Sequence, residues 1–391
     1  VLKWRDHIRE ELKTGNGIQS HYIKYWMGAI YHKQYVMTIS ALFADKSLVL
    51  TTEQKNGFLE TLSMIARMVW DNDFVPMHEK FGGGMGNANM MGQYISFRNM
   101  MAVIFKDDPE FKKRAAESYK QIKETLNWYI SDKGIVYASV HYIQPSIEPH
   151  LFAALQLKQA GLGDLFVELK PRLQSFIKFY TSFFRPAQDE LITIGDGLQE
   201  PTAILSLLAA GYADTDPALS KKLYGLPYKK SDFGYSPMAI NTTTDFAPTK
   251  LPLTSASFED YYNVIRTGST AVWHVLPKRF IDHRHYDQNS VVIYALGFPL
   301  TVNSSAFYTP HVPGSKLKSM VLPVSAFPEW NQSTFSLDGG YYKRIESSAF
   351  NGNTSTGITG GWERKVSVIA IDESKPIIVI VDKMPGKDNI W

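Results

Sequence analysis

The chain has 391 residues, 44% hydrophobic and 20% charged, a length at which folded chains usually divide into more than one core. Its 41 basic and 38 acidic residues leave a formal net charge of +3, which argues against nucleic-acid binding by the chain as a whole. With no cysteine, disulfides, thiol nucleophiles and Cys-held zinc are excluded together, and no apolar run reaches the length of a membrane span. The opening Val1-Leu2-Lys3-Trp4 has no basic-then-apolar leader, so any signal peptide is expected to have been removed or never present.

From Leu2 to about Asp216, apolar residues recur at intervals of three and four, the period of helices with one buried face. Helices are predicted over Ser20 to Ala44, Glu53 to Asp71, Asn89 to Phe105, Pro109 to Ser131, Ile147 to Ala160, Leu165 to Phe184 and Glu200 to Tyr212. Asp107-Asp108-Pro109 places acids and a proline where a first helical turn favours them. No repeat of fixed period runs through the segment, which disfavours a regular solenoid. Helix pairs joined by short polar turns predict a packed helical domain over residues 1–215.

Pro217, Pro227, Pro237, Pro248 and Pro252 then predict an interdomain connection over residues 216–257. Val- and Ile-rich runs follow at Tyr261 to Arg266, Ala271 to Leu276, Ser290 to Leu296, Val366 to Ile371 and Ile377 to Val381. Punctuated by Gly, Asn and Pro, they predict an antiparallel sheet stack over residues 258–391. Pro385-Gly386 reads as a turn into another strand, so this stack is expected to be incomplete at its C-terminal end.

The densest chemistry lies in Asp282-His283-Arg284-His285-Tyr286-Asp287-Gln288-Asn289-Ser290, which runs into the apolar segment Val291 to Leu300. Side chains two apart on an extended chain share a face, so His283, His285 and Asp287 can address one site while the following strand is held in a core. This His-Arg-His-x-Asp-x-x-Ser string, with Tyr-Ala-x-Gly and Pro-Leu after it, resembles the signature of the heparinase II/III-like polysaccharide lyases over roughly residues 258–304. The resemblance implies an N-terminal α/α toroid-like helical domain followed by an antiparallel β-sandwich. It also implies β-elimination on a uronic-acid polysaccharide, an acidic polysaccharide or oligosaccharide as partner, and a secreted or periplasmic location. No cofactor is required by such chemistry.

On that resemblance His283 corresponds to the first His of the motif, as base or as donor to the substrate carboxylate. His285 corresponds to the second, which in some relatives holds a structural divalent metal. Such a metal is disfavoured here, because Asn303 stands where those relatives place an Asp and no histidine follows His311. In the Gly-rich run Gly82 to Tyr94, Asn89, with Asn87 as alternative, fits the residue that bonds the substrate carboxylate, although Met90 replaces the His that often follows. An Asn helix cap explains the same residue without function. In Tyr142-Ile143-Gln144-Pro145-Ser146-Ile147-Glu148-Pro149-His150, Ser146 and His150 fit a Ser-x-x-Tyr-His context, but Pro149 occupies the tyrosine position. Tyr142, His150 or Tyr308 must then carry the proton transfers. Gln93, Glu148, Arg266, Arg284 and Trp330 are the candidate substrate contacts, Arg for its planar fork and Trp as a sugar platform.

Two other functions fit the same chain. A glycoside hydrolase on an α/α scaffold would need two carboxylates flanking the bond, and Asp196, Glu200 and Asp287 form no recognisable pair. A noncatalytic glycan-binding relative would tolerate Met90 and Pro149. Nothing in the sequence sets the oligomeric state.

Overall fold

A computed structural model describes residues 26–70 except 46, 88–192, 194–195, 203–226, 250–276 except 260, 289–301, 322–323, 345–371 except 360, 375–384 and 389–390, with 5, 6, 9, 10 and 13. Helices fill the first half: α1 (Trp26–Ala44), α2 (Thr52–Trp70), α3 (Ala88–Ile104), α4 (Pro109–Tyr129), α5 (Val140–Gln159), α6 (Leu165–Glu168), α7 (Lys170–Thr181), α8 (Ile204–Tyr212) and α9 (Pro217–Tyr224). Among the described residues no helix is long and apolar enough to cross a membrane.

The helix boundaries follow local chemistry. Asp108 caps α4 by accepting the Glu110 N–H at 2.8 Å, with Pro109 in the first turn where its missing N–H costs nothing. Asp164 caps α6 in the same way, accepting from Phe166 and Val167. The helix predicted from Leu165 to Phe184 is two helices, because Pro171 has no N–H to return to Val167. Asp216 and Pro217 start α9 inside the stretch expected to be connection, for the reason that starts α4. Pro217 therefore opens a helix where the sequence reading expected a connection.

Helix α5 is buried along almost its whole length and packs against α3, α4 and α8. It begins seven residues before the predicted Ile147 start and runs through Pro145 and Pro149. Each proline leaves the carbonyl four residues earlier without its helical donor, a cost that dense packing on all sides offsets.

Strands follow. The first sheet has five antiparallel strands in sequence order: β1 (Ala256–Phe258), β2 (Tyr262–Thr267), β3 (Thr270–Val275), β4 (Val291–Ala295) and β5 (Phe298–Thr301). After the short β6 (Leu322–Pro323) comes the second sheet, β7 (Ser347–Phe350), β8 (Thr354–Thr359), β9 (Trp362–Ala370) and β10 (Pro376–Lys383). The last strand, β11 (Asn389–Ile390), pairs with β6. Leu296 and Gly297, both at positive φ, form the two-residue turn between β4 and β5.

The first sheet is the middle layer of the molecule. Along β2, β3 and β4, Tyr262, Val264, Ala271, Trp273, Val275, Val292 and Tyr294 belong to the core shared with the helices. The alternate residues Ile265, Val272, Val291 and Ile293 form a second core with Val366 and Val368 of β9. This is the strand period of two, with both faces buried instead of one. An aromatic cluster of Phe179, Phe183, Phe258, Tyr261 and Tyr262 fills the joint between helices and sheet, with ring centroids 4.8 to 6.1 Å apart.

Trp273, wholly buried in that joint, donates its indole N–H to the Ser182 carbonyl at 3.0 Å. Trp273→Ala should lower unfolding free energy by about 3–5 kcal/mol in a denaturant titration. Trp128→Ala, at a ring 57% exposed on α4, should stay within about 0.5 kcal/mol of the parent. Equal losses at the two sites would contradict the middle-layer assignment.

Candidate active site

Helices α1, α3 and α5 bring a group of polar side chains into the helical core. Asn89 lies in the first turn of α3 and is buried. Gln93 is one turn further on, on the same side of the helix, and accepts from the Lys33 ammonium of α1. Lys33 also donates to the Ser96 hydroxyl at 2.9 Å. Glu148 and His150 of α5 are fully buried. His150 donates from Nδ1 to the Ser146 carbonyl at 2.7 Å, and its ring meets Tyr129 edge-on with centroids 5.6 Å apart. Gly92 permits this approach, since a Cβ there would lie 2.9 Å from His150 Cε1.

Burial sets the charges of the group. It holds the Lys33 ammonium well below its usual range, opposed by the Glu148 carboxylate. Burial also pushes His150 down to about 4, the bond to Ser146 opposing and Lys33 assisting, so His150 is neutral at pH 7. His150 Nε2 and the Ser146 hydroxyl are buried with no hydrogen-bond partner among the described residues.

Of the residues singled out in sequence, Gln93, Glu148 and His150 therefore come together, with Asn89 one turn away on α3. Tyr142 is half-buried in the first turn of α5, beside the ring of His141 at 5.1 Å, while His150 lies at the middle of the helix. Eight residues of helix, about 12 Å, separate the two along the axis. Arg266, expected at the substrate, instead donates to the carbonyls of Ser182 and Phe184 at 2.9 and 2.6 Å and lies over the Trp273 ring. Its burial, which lowers it to about 10, is that of a fastener between helices and sheet. His283, Arg284, His285, Asp287, Asn87, Tyr308 and Trp330 lie outside the described residues. Among the described residues no group of three or more His, Asp or Glu is placed to hold a metal ion.

Lys33 was not singled out from sequence, and a signal for it exists. It is three residues before Val36 and six before Ile39, both fully buried, so a charge stands on the apolar stripe of α1.

The described end of the His-Arg-His segment is a second polar group, between the two sheets. Asn263 of β2 donates to the Ser355 hydroxyl of β8 at 2.8 Å, and that hydroxyl lies 2.7 Å from His274 Nδ1. His274 Nε2 donates to Asn289 Oδ1 at 3.1 Å, and Asn289 Nδ2 donates to the Gly357 carbonyl at 3.2 Å. The direction of these bonds fixes His274 as a neutral imidazole with its proton on Nε2. Burial and the Arg364 charge push it down to about 3.

No protein-family model and no curated protein matches the chain. Solved structures do. One is heparinase III, at TM-score 0.61 and 15% identity, covering 92% of this chain and 55% of that one. Another is a heparinase III gene product at 0.58 and 13%, covering 85% and 50%. A mutant of the heparan sulfate lyase HepC from Pedobacter heparinus matches at 0.51 and 13%, covering 92% and 61%. At these identities the likeness is one of fold: a helical α/α toroid-like part followed by an antiparallel β-sandwich. The chain spans 50–61% of the length of these structures.

Both buried histidines tie stability to acid. The unfolded chain binds protons at His150 near pH 6.5, while the folded chain does so only near 4. Stability is therefore full above about 6.5 and falls as pH drops through that window, by on the order of 3 kcal/mol for His150. Denaturant titrations at pH 7, 5.5 and 4 should show this fall, and His150→Asn should make it shallower. An unchanged slope in the variant would remove His150 from the buried group.

Proposed function

We propose that the chain is a polysaccharide lyase that cleaves a uronic-acid-containing polysaccharide by β-elimination, in a cleft between the helical domain of residues 1–215 and the sandwich of residues 258–391. The observation that carries the reading is the joint occurrence of the His283-to-Ser290 motif with a fold like that of heparinase III and a heparan sulfate lyase. Fold alone hosts many activities; the motif supplies the chemistry.

Elimination at a 4-linked uronate needs its carboxylate neutralised so that the C5 proton becomes acidic, a base to take that proton, and an acid for the departing oxygen. Asn89, or Asn87, is assigned to the carboxylate. The base removes the C5 proton, the C4–O bond breaks, the electron pair becomes the C4=C5 double bond, and the leaving oxygen receives a proton. His283 is assigned as base, with Tyr142 or Tyr308 as acid. Tyr142 is favoured over His150 for proton transfer because it is only partly buried at the start of α5, whereas His150 is enclosed. An unperturbed phenol titrates near ~10, so the tyrosine is better suited to donate than to abstract at neutral pH. Arg284 and Trp330 are the remaining proposed sugar contacts, and a secreted or periplasmic location suits such a substrate.

The test is absorbance at the conjugated-alkene band during incubation with heparan sulfate, chondroitin, hyaluronan, alginate and glucuronan. A rise on at least one is expected, and His283→Ala should abolish it without changing the unfolding midpoint. New reducing ends with no absorbance would mean hydrolysis. Binding of a uronate oligosaccharide without either signal would mean a glycan-binding protein. Normal turnover by the His283 variant would take that residue out of the reaction.

A further inference from the structure

Helix α3 carries on its inner side a polar row that packing alone does not require. Asn89, Gln93 and Ser96 stand four and three residues apart, so they share one face of the helix. All three are buried among apolar side chains, where a polar group is unfavourable unless its bonds are made. Exposure falls along the row, from 8% at Asn89 to 1% at Gln93 and none at Ser96. The row is therefore approached from its Asn89 end.

Lys33 of α1 closes the inner end. Its ammonium donates to the Gln93 side-chain oxygen and to the Ser96 hydroxyl at 2.9 Å. That hydroxyl in turn donates to the Gln93 carbonyl at 3.0 Å. An ammonium has donors only, so the Gln93 amide must present its oxygen to Lys33 and turn its NH2 group away. A cation on the oxygen also draws charge through the amide, which makes those N–H groups stronger donors than those of a solvated glutamine. The Glu148 carboxylate of α5 favours the charged form of Lys33 and so sustains the polarisation. Side chains on a helix lean toward its N-terminus, which for Gln93 is the turn that carries Asn89, about 6 Å away along the axis.

We infer that Lys33 is a positioning residue of the proposed lyase: by holding the Gln93 oxygen it presents the Gln93 amide, beside Asn89, as a second donor to the uronate carboxylate. The inference rests on the proposed function for the identity of the ligand. Two amides on one carboxylate reduce the charge that opposes loss of the C5 proton, and Lys33 adds a cationic contribution without touching the sugar.

The test uses the full chain with four variants. Gln93→Met deletes the amide at nearly constant volume. Lys33→Met combined with Glu148→Gln deletes the ammonium without leaving a buried carboxylate unopposed. Lys33→Met combined with Gln93→Met asks whether Lys33 acts through the amide. Lys158→Met is the stability control, since Lys158 pairs with Asp164 and Asp214 at 2.9 and 2.6 Å near the C-terminal end of α5.

Two readouts are taken. One is kcat and KM on a cleaved uronate polysaccharide; the other is the ratio of Kd values, by calorimetry, for a uronate oligosaccharide and the same oligosaccharide with its carboxyls reduced to alcohols. The parent should favour the uronate form. Gln93→Met and the Lys33→Met, Glu148→Gln variant should each lower kcat about tenfold, raise KM by less than that, and reduce the preference for the uronate form at least about threefold. Adding Lys33→Met to Gln93→Met should lower kcat no further. Lys158→Met should keep both readouts near the parent even where its thermal midpoint falls. The inference is overturned if Gln93→Met or the Lys33→Met, Glu148→Gln variant keeps the parent's kcat and preference, if the Lys33 and Gln93 losses multiply, if Lys158→Met loses as much, or if the parent does not favour the uronate form. A parent that favours the uronate form but cleaves nothing would sink the proposed function by itself, and the Kd ratios would then decide the inference.

Discussion

The sheet β1–β5 has two buried faces, and every residue along its central strands is chosen by which of two cores it enters. Tyr262, Val264, Trp273 and Tyr294 close the helical core; Ile265, Val272, Val291 and Ile293 close the sandwich. Full burial of one such side chain contributes about 1.5–3 kcal/mol, so losing either neighbouring layer would expose a row of them. A one-residue slip of any strand would exchange the two rows and put Asn263 and His274 among the helices. The helices, the second sheet and the point at which the His-Arg-His segment meets the fold all take their positions from this register.

Among the described residues, three of the groups of buried polar side chains have different effects. At the joint, the Ser182 carbonyl accepts from both Arg266 and Trp273, and Tyr262 reaches the Ser182 hydroxyl. These bonds select one docking of sheet on helices, where apolar packing alone would permit several. Between the sheets, the run from Asn263 through Ser355 and His274 to Asn289 has one donor direction throughout and a single neutral tautomer. In the helical core, Lys33, Gln93, Ser96 and Glu148 form an ionisable group whose burial disfavours the Lys33 ammonium.

Much of this was legible in the sequence wherever periodicity and end signals agreed. The helices around Phe58 to Val69 and Phe111 to Leu126, and the strands around Val264, Trp273 and Val292, lie where three-four spacing and β-branched runs place them. Helix α5 was read too short because Pro145 and Pro149 are local breakers that packing overrides. Strand β8 was missed because its inward side chains are Ser355, Gly357 and Thr359, small and polar residues with no apolar alternation. They are small because Asn289 and His274 occupy the space opposite. Lys33 and the Arg364–Asp382 pair were missed for a related reason: a charge becomes informative only when the partner that buries it is known, and those partners lie 60 residues away for Lys33 and 18 for Arg364.

The sharing of one sheet between two cores also bears on how the molecule comes apart. In a chain whose domains meet through a thin polar surface, each half can melt while the other stands. Here, release of the helices would uncover Tyr262, Trp273 and Tyr294 on a sheet still held by β9, and release of the second sheet would uncover Val272 and Ile293 on a sheet still held by α7 and its neighbours. Either half-melted form exposes a broad apolar face, and neither half has a complete core without the shared layer. Helical part and sandwich are thereby joined through one sheet whose opposite faces each close a core.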